Sequence, residues 1–331
     1  MKHFNVTFFT DILRPVRLVL AGVFFANLFW CSSSIASELV NRNGYAIWIS
    51  NEIQRLVTSP DLVKVCPGTD KPGYYCTGVM IHSNEDGSEP VDWTQPYSSS
   101  KDNKLSFSYW HYPILKYNQR PGSYQSVGIV FWPAGYLKTD GSSYEENFTC
   151  GYPRDGASGD KLGKAECGDG NERCQDIGIF TADDYLKANS PQCGFAINTP
   201  GYNTEKAYSA ILDIEGRFIE KYGKAMPYDE FILKPWTGTD VSKIPLMAFF
   251  VNNVTNGPKE IPDAVSKAQV LQLDYYNKSG LFAPVVVVTG SSWAEPTFSG
   301  GPEYQSKEIP RDVKVFGGTK NDYSSINATK Q

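Results

Sequence analysis

Hydrophobic positions along the chain change their period several times, and each change predicts an element. Ile49, Ile53 and Leu56 recur at a spacing close to 3.6 within Glu38 to Val57, which predicts an N-terminal helix despite Gly44. Tyr74 to Ile81 is an apolar run between Pro72-Gly73 and the polar Ser83-Asn84-Glu85-Asp86-Gly87, the pattern of a strand followed by a loop. From Leu105 to Tyr109 aliphatic or aromatic residues alternate with serine, so Ser106 and Ser108 share one strand face and Leu105, Phe107 and Tyr109 the other. Val127 to Trp132 is apolar throughout and predicts a buried strand. Ala207, Ile211, Ile214 and Phe218 mark an amphipathic helix over Glu205 to Tyr222, stopped by Gly223. Strands are expected at Phe231 to Leu233 and Ile244 to Val251. A helix is expected at Asp263 to Asn277, and a strand buried on both faces at Val285 to Thr289. Helices mixed with short strands, and few clean βαβ units, indicate an α+β fold.

Two stretches break this pattern. Tyr144 to Cys193 is rich in Gly, Asp and Lys and holds four cysteines, so it reads as a loop-rich insertion ordered by disulfides; within it, Thr181-Ala182-Asp183-Asp184 can cap a short helix. Beyond Gly290 the chain turns to Gly, Ser, Pro and Lys with isolated aromatics, and residues 291–331 are expected to be poorly ordered or peripheral. Residues 37–290 are then the single folded domain.

The first 36 residues have a different character. Basic Lys2, Arg14 and Arg17 precede an apolar stretch from Leu18 to Trp30, the order of a signal peptide. A spanning helix needs about 20 apolar residues; this stretch is shorter, contains Asn27 and leads into small residues. Ser34 and Ala36 supply the small pair for cleavage after Ala36, whereas Leu28-Phe29-Trp30 before Cys31 is wrong for lipid attachment. The expectation is a secreted or periplasmic protein with no stable membrane insertion. Of seven cysteines, cleavage removes Cys31 and leaves Cys66, Cys76, Cys150, Cys167, Cys174 and Cys193, an even set that suggests three disulfides in an oxidising compartment. The shortest loops arise if Cys66 pairs with Cys76 and the other four pair among themselves. A zinc site is disfavoured, since no CxxC pair is present and only His82 and His111 remain after cleavage, so no metal is expected. Net charge is -5 with both signs interspersed, which excludes the basic stripe of a nucleic-acid binder.

No G-x-S-x-G elbow, H-E-x-x-H or P-loop is present. The candidate chemistry lies at strand ends. Glu230 opens the apolar run Phe231-Ile232-Leu233, where a carboxylate can face a cleft and stabilise an oxocarbenium ion; on composition alone, a solvated strand-end residue is the commoner case. Ser106 and Ser108 offer two hydroxyls from one strand face, and His82 ends another strand. Trp110, Trp132 and Trp236 follow strands and can form a stacking wall, although core packing is the usual fate of any single Trp.

In order and spacing, these segments resemble the halovibrin family of secreted bacterial NAD-consuming enzymes. The resemblance runs from about Tyr74 to Thr289 and rests on Tyr75-Cys76-Thr77-Gly78-Val79-Met80-Ile81, Ser106-Phe107-Ser108-Tyr109, Gln192-Cys193-Gly194-Phe195, the Glu230 strand, Pro245-Leu246-Met247-Ala248-Phe249-Phe250 and Asp274-Tyr275-Tyr276. More distantly, it resembles the ADP-ribosyltransferase fold, a mixed sheet core with flanking helices. There a basic residue ends the first core strand, a Ser-x-Ser strand follows, and a glutamate opens a later strand. The resemblance implies Glu230, Ser106 and Ser108 as catalytic residues, and His82, Trp110 and Tyr109 as contacts to NAD, which is substrate rather than cofactor. His82 stands where close relatives are expected to carry Arg. Tyr228 stands where arginine-modifying transferases carry a second Glu, which implies water as acceptor and an NAD glycohydrolase. The alternatives are a mono-ADP-ribosyltransferase acting on a host protein, a secreted binding module, and a cysteine-rich structural or adhesive protein.

Overall fold

In the structure, a computed structural model, the described residues are 39–58, 77–83, 105–112, 116, 127–132, 148–154, 173–189, 191, 193–197, 201–224, 226, 229–233, 241–254 and 261–317. All of them fall in the unit Ser37–Gln331. Cys66, Cys76, Cys167, Gln192, Tyr228 and Trp236 lie outside this set, as does the Tyr75-Cys76 end of the first motif.

The fold is mixed α+β, built on one large sheet. Strands β2 (Val79–Ser83), β3 (Leu105–Trp110), β4 (Val127–Phe131), β5 (Phe148–Tyr152), β6 (Phe195–Ala196), β7 (Glu230–Leu233), β8 (Leu246–Val254), β10 (Val285–Gly290) and β11 (Thr297–Ser299) join in the order β11-β10-β8-β4-β2-β3-β7-β5-β6. Only β8 and β10 run parallel; the other neighbours are antiparallel. A second sheet has the order β1-β12-β9 and consists of β1 (Val40–Asn41), β12 (Asp312–Val315) and β9 (Leu281–Phe282).

Alternation along the strands divides the core into two layers, because successive side chains point to opposite faces. Met80, Phe107, Tyr109, Ile129, Phe131, Phe231, Phe249, Val285 and Val287 pack on one face. They meet the helices α2 (Ala182–Lys187), α3 (Thr204–Tyr222) and α4 (Ile261–Ser279) through Tyr185, Tyr208, Ile211, Ala268 and Tyr275. On the other face Val79, Ile81, Trp110, Val130, Phe250, Val286 and Val288 meet the helix α1 (Arg42–Thr58) and the small sheet through Ile49, Ile53, Phe282 and Val313. The apolar stripe of α3 faces the sheet as its period requires. Asn203 caps its start by accepting from the Lys206 N–H at 2.9 Å, and Gly223 in the left-handed region closes its end. The short α2 has the expected capping box: Thr181 Oγ1 accepts from the Asp184 N–H at 3.2 Å, and the Asp184 carboxylate accepts from the Thr181 N–H at 3.1 Å.

Two expectations need correction. The stretch Tyr144 to Cys193 is not all loop, because Phe148–Tyr152 inserts as β5 between β7 and β6 with all five residues buried. Gly151 and the polar flanks hide its alternation. A Cβ on Gly194 would lie 2.9 Å from the Tyr152 ring, so the neighbouring chain needs glycine to approach. Within this region Cys174 and Cys193 form a disulfide, and Cys150 is disulfide-bonded as well.

Nor is the chain after Gly290 peripheral as far as residue 317. β11 extends the large sheet beside β10, and β12 completes the small one, burying Phe298, Ile309, Val313 and Phe316. A buried amide pair fastens this segment. Gln305 Nε2 donates to the Val285 carbonyl at 3.0 Å while its Oε1 accepts from the Val285 N–H at 3.1 Å and from Gln272 Nε2 at 2.8 Å. Gln272 Oε1 in turn accepts from the Ser306 N–H at 2.9 Å. The polar composition that suggested disorder therefore includes side chains that satisfy backbone groups of the core.

Candidate functional site

The candidate residues gather where β7 begins beside β3. The two strands pair antiparallel with Leu105 opposite Leu233, Ser106 opposite Ile232 and Phe107 opposite Phe231. Continued by one step, that register sets Ser108 opposite Glu230 on one face. On the far side of β7, Tyr152 of β5 pairs with Glu230. Side chains then take over from the backbone ladder. The Ser108 hydroxyl donates to the Asp229 carbonyl at 3.3 Å, and the Tyr109 N–H donates to Asp229 Oδ1 at 2.8 Å. The start of β7 is thus held from both sides, Glu230 through its pairing with Tyr152 and Asp229 through the bonds from β3. Glu230 and Ser108 are only 6% and 4% exposed, beside a small cluster of Cys150, Tyr152, Ala196 and Ile232.

The other sequence candidates are placed differently. His82 is buried with its ring 5.4 Å from Phe107, which places it on the helical face, opposite to Ser108 and Glu230. Trp110 shares the strand face of Ser108, but it is buried in the layer beneath α1, 5.8 Å from Trp293 and 5.1 Å from Phe298 between ring centroids. It packs as core in this structure and presents no open surface for a pyridine ring. Tyr109 is buried on the helical face; its phenol donates to the Thr77 carbonyl, and its ring lies against Gly78. Gly78 has φ +69°, and a Cβ there would come within 2.6 Å of the Tyr109 ring, so this turn depends on glycine. Of Ser106 only its register opposite Ile232 is described.

Sequence reasoning missed a polar group on the helical face. His111, the residue after β3, stacks on Tyr109 with centroids 4.5 Å apart and planes at 22°. Its Nε2 lies 2.9 Å from Glu215 Oε2 of α3, yet neither ring nitrogen has a well-directed hydrogen bond among the described residues, so the contact is an out-of-line ion pair. Asp229 completes the group, with donor atoms of the three residues all within 4.8 Å of one another. All three are buried. Burial pushes the Asp229 carboxyl up to about 8, a shift opposed by His111 and reinforced by Glu215. Burial alone would lower the His111 pKa, but the Glu215 carboxylate, its polar contact and Asp229 together leave it raised.

One signal for this group was in the sequence: Glu215 lies four residues after Ile211, on the edge of the apolar stripe of α3, where a carboxylate must find a partner. The alternation of β3, carried two residues past Tyr109, also brings His111 to the same face. The chain matches no protein-family model, and no curated protein is significantly similar to it.

Proposed function

We propose that the protein is an exported NAD glycohydrolase with an ADP-ribosyltransferase-like core, which cleaves the nicotinamide–ribose bond of NAD to nicotinamide and ADP-ribose. The observation that carries this reading is the buried Glu230 carboxylate at the first position of β7, with Ser108 opposite it and the Ser108 hydroxyl tied to the adjoining Asp229 carbonyl. A carboxylate withdrawn from water exerts a stronger field than one in solution. The breaking C–N bond leaves positive charge on the ribose, and a fixed carboxylate stabilises that charge mainly in the transition state. The bonding electrons go to the pyridinium nitrogen, so nicotinamide departs neutral and needs no proton from the protein. Water then forms the new bond to the ribosyl carbon and releases a proton.

Ser108 is the positioning residue: by anchoring the Asp229 carbonyl it limits the freedom of Glu230. Tyr228 in place of a second glutamate supports water rather than a protein side chain as acceptor. The Cys174–Cys193 disulfide supports folding in an oxidising compartment.

The test is nicotinamide release from NAD by wild type and Glu230→Gln, with thermal stability measured on the same samples. Gln keeps the shape of the side chain and removes its charge, so turnover should fall by roughly 10²–10³ while Tm stays close to wild type. Equal turnover by the two proteins, or none by wild type, defeats the reading. Faster transfer of labelled ADP-ribose to proteins than release as free ADP-ribose would replace hydrolysis with transfer.

A further inference from the structure

The geometry points to a divalent metal site, formed by His111, Glu215 and Asp229, that ties α3 to the paired ends of β3 and β7. The donors come from three separated positions: the residue after β3, the middle of α3 and the residue before β7. Their ligand atoms already lie within 4.8 Å of one another, and all three side chains are more than nine-tenths buried. Two donors each about 2.1 Å from a tetrahedral zinc ion stand about 3.4 Å apart, so side-chain adjustments of roughly an ångström bring the group to bonding distance.

The unsatisfied valences support the same conclusion. Among the described residues, Asp229 Oδ2 has no hydrogen-bond partner and the His111 ring nitrogens have none of good geometry. Among the described residues, Glu215 pairs only with His111, and no Lys or Arg forms an ion pair with either carboxylate. Buried polar atoms are nearly always satisfied, so these open positions point to a missing partner. Metal binding displaces the protons that the metal-free group holds and leaves a neutral imidazole with two carboxylates, whose charge a divalent cation cancels; the ion would bond the atoms left open. Imidazole among the donors favours zinc or another divalent transition ion over calcium or magnesium, whose preferred ligands are all oxygen. Tyr109 stacks on the imidazole, and its N–H donates to Asp229 Oδ1, so two of the three donors are oriented from β3.

The site stands apart from the NAD reading, because Asp229 and its partners lie on the helical face of the sheet and Ser108 with Glu230 on the other. Its test therefore needs no activity. Tag-free full chain is stripped with chelator, dialysed, and titrated with zinc chloride while Tm and bound zinc are measured. About one zinc per chain and a Tm rise of at least about 5 °C at micromolar zinc are expected, since a ligand bound only by the folded state stabilises it. Asp229→Asn and Glu215→Gln should lose both the stoichiometric zinc and the Tm rise. Without metal, Asp229→Asn, which keeps the oxygen that accepts from the Tyr109 N–H, should melt near stripped wild type, whereas Glu215→Gln, which leaves buried His111 without its ion-pair partner, should melt lower. His82→Ala, which changes the other histidine of the domain, should leave zinc stoichiometry unchanged. Wild-type chain that takes up no zinc, or an Asp229→Asn chain that responds to zinc as wild type does, overturns the assignment.

Discussion

Trp110→Ala separates a packing role from a substrate-binding role at an aromatic residue that shares the strand face of Ser108. Trp110 is 1% exposed, and its ring lies among Trp293 and Phe298, both contributed by the chain after Gly290. Truncating a buried Trp removes its transfer free energy and leaves a cavity, at a cost of about 3–5 kcal/mol. One feature moderates the loss: the indole Nε1 has no hydrogen-bond partner among the described residues, so the substitution also removes a buried N–H that is already unsatisfied. Trp110→Phe keeps much of the aromatic contact, removes the same N–H and should cost about 1–2 kcal/mol. For a domain of this size, about 2 °C of Tm accompanies each kcal/mol, so the alanine variant should melt roughly 6–10 °C below wild type.

Thermal and urea unfolding measure the stability, and nicotinamide release well below the transition measures the proposed activity. The expected outcome is a large loss of stability, with turnover per folded molecule and KM for NAD within about twofold of wild type; uniform loss of a substrate contact would instead raise KM. A Trp110→Ala protein with wild-type Tm and a KM raised tenfold would refute the packing argument and return the indole to the substrate.

Ending the chain after Gly290 removes β11, β12 and the Gln305 amide, and should give protein without a cooperative unfolding transition; a soluble fragment with a sharp melt would contradict the placement of that segment. Cys193→Ser opens the bridge to Cys174 across 19 residues and should cost about 3 kcal/mol, read as a lower urea midpoint, with no change if the bridge is absent from the folded protein. Gly78→Ala places a side chain at φ +69° against the Tyr109 ring and should cost about 1–3 kcal/mol, whereas an unchanged Tm would show that the turn relaxes freely.

What was legible in the sequence followed from periodicity. α3 and α4 announced themselves through apolar stripes, α3 with Gly223 at its end, and the Thr181 cap through local chemistry that needs no tertiary context. β5 was hidden because Gly151 and the polar flanks interrupt its alternation, and the burial of all five residues comes from packing on both faces that local sequence does not reveal. The segment after Gly290 was misread for a related reason. Its order comes from side chains such as Gln305 that bond backbone groups of Val285, twenty residues away, and composition carries no trace of such a partnership. Among the candidate residues, the order of the Ser-x-Ser strand and the Glu230 strand was legible through the resemblance, while their direct pairing came from the structure. The face on which His82 falls was not legible, because it depends on the register of β2 against β3, set by Ile81 opposite Ser108.

That dependence on register gives the consecutive pair Asp229 and Glu230 its meaning. Neighbouring residues at a strand start point to opposite faces, so one peptide unit carries a carboxylate into the layer beneath α3 and another to the Ser108 face. The bonds that hold Asp229, from the Ser108 hydroxyl to its carbonyl and from the Tyr109 N–H to its carboxylate, fix the peptide from which Glu230 projects. A glutamate at the frayed end of a four-residue strand would otherwise have backbone freedom on one side. Electrostatic stabilisation of a transition state requires a carboxylate that need not reorganise when charge develops. The His111–Glu215–Asp229 group lies on the opposite face of the same peptide, within a layer otherwise filled by Tyr208, Ile211 and Phe231, so whatever holds Asp229 there also limits the backbone from which Glu230 projects.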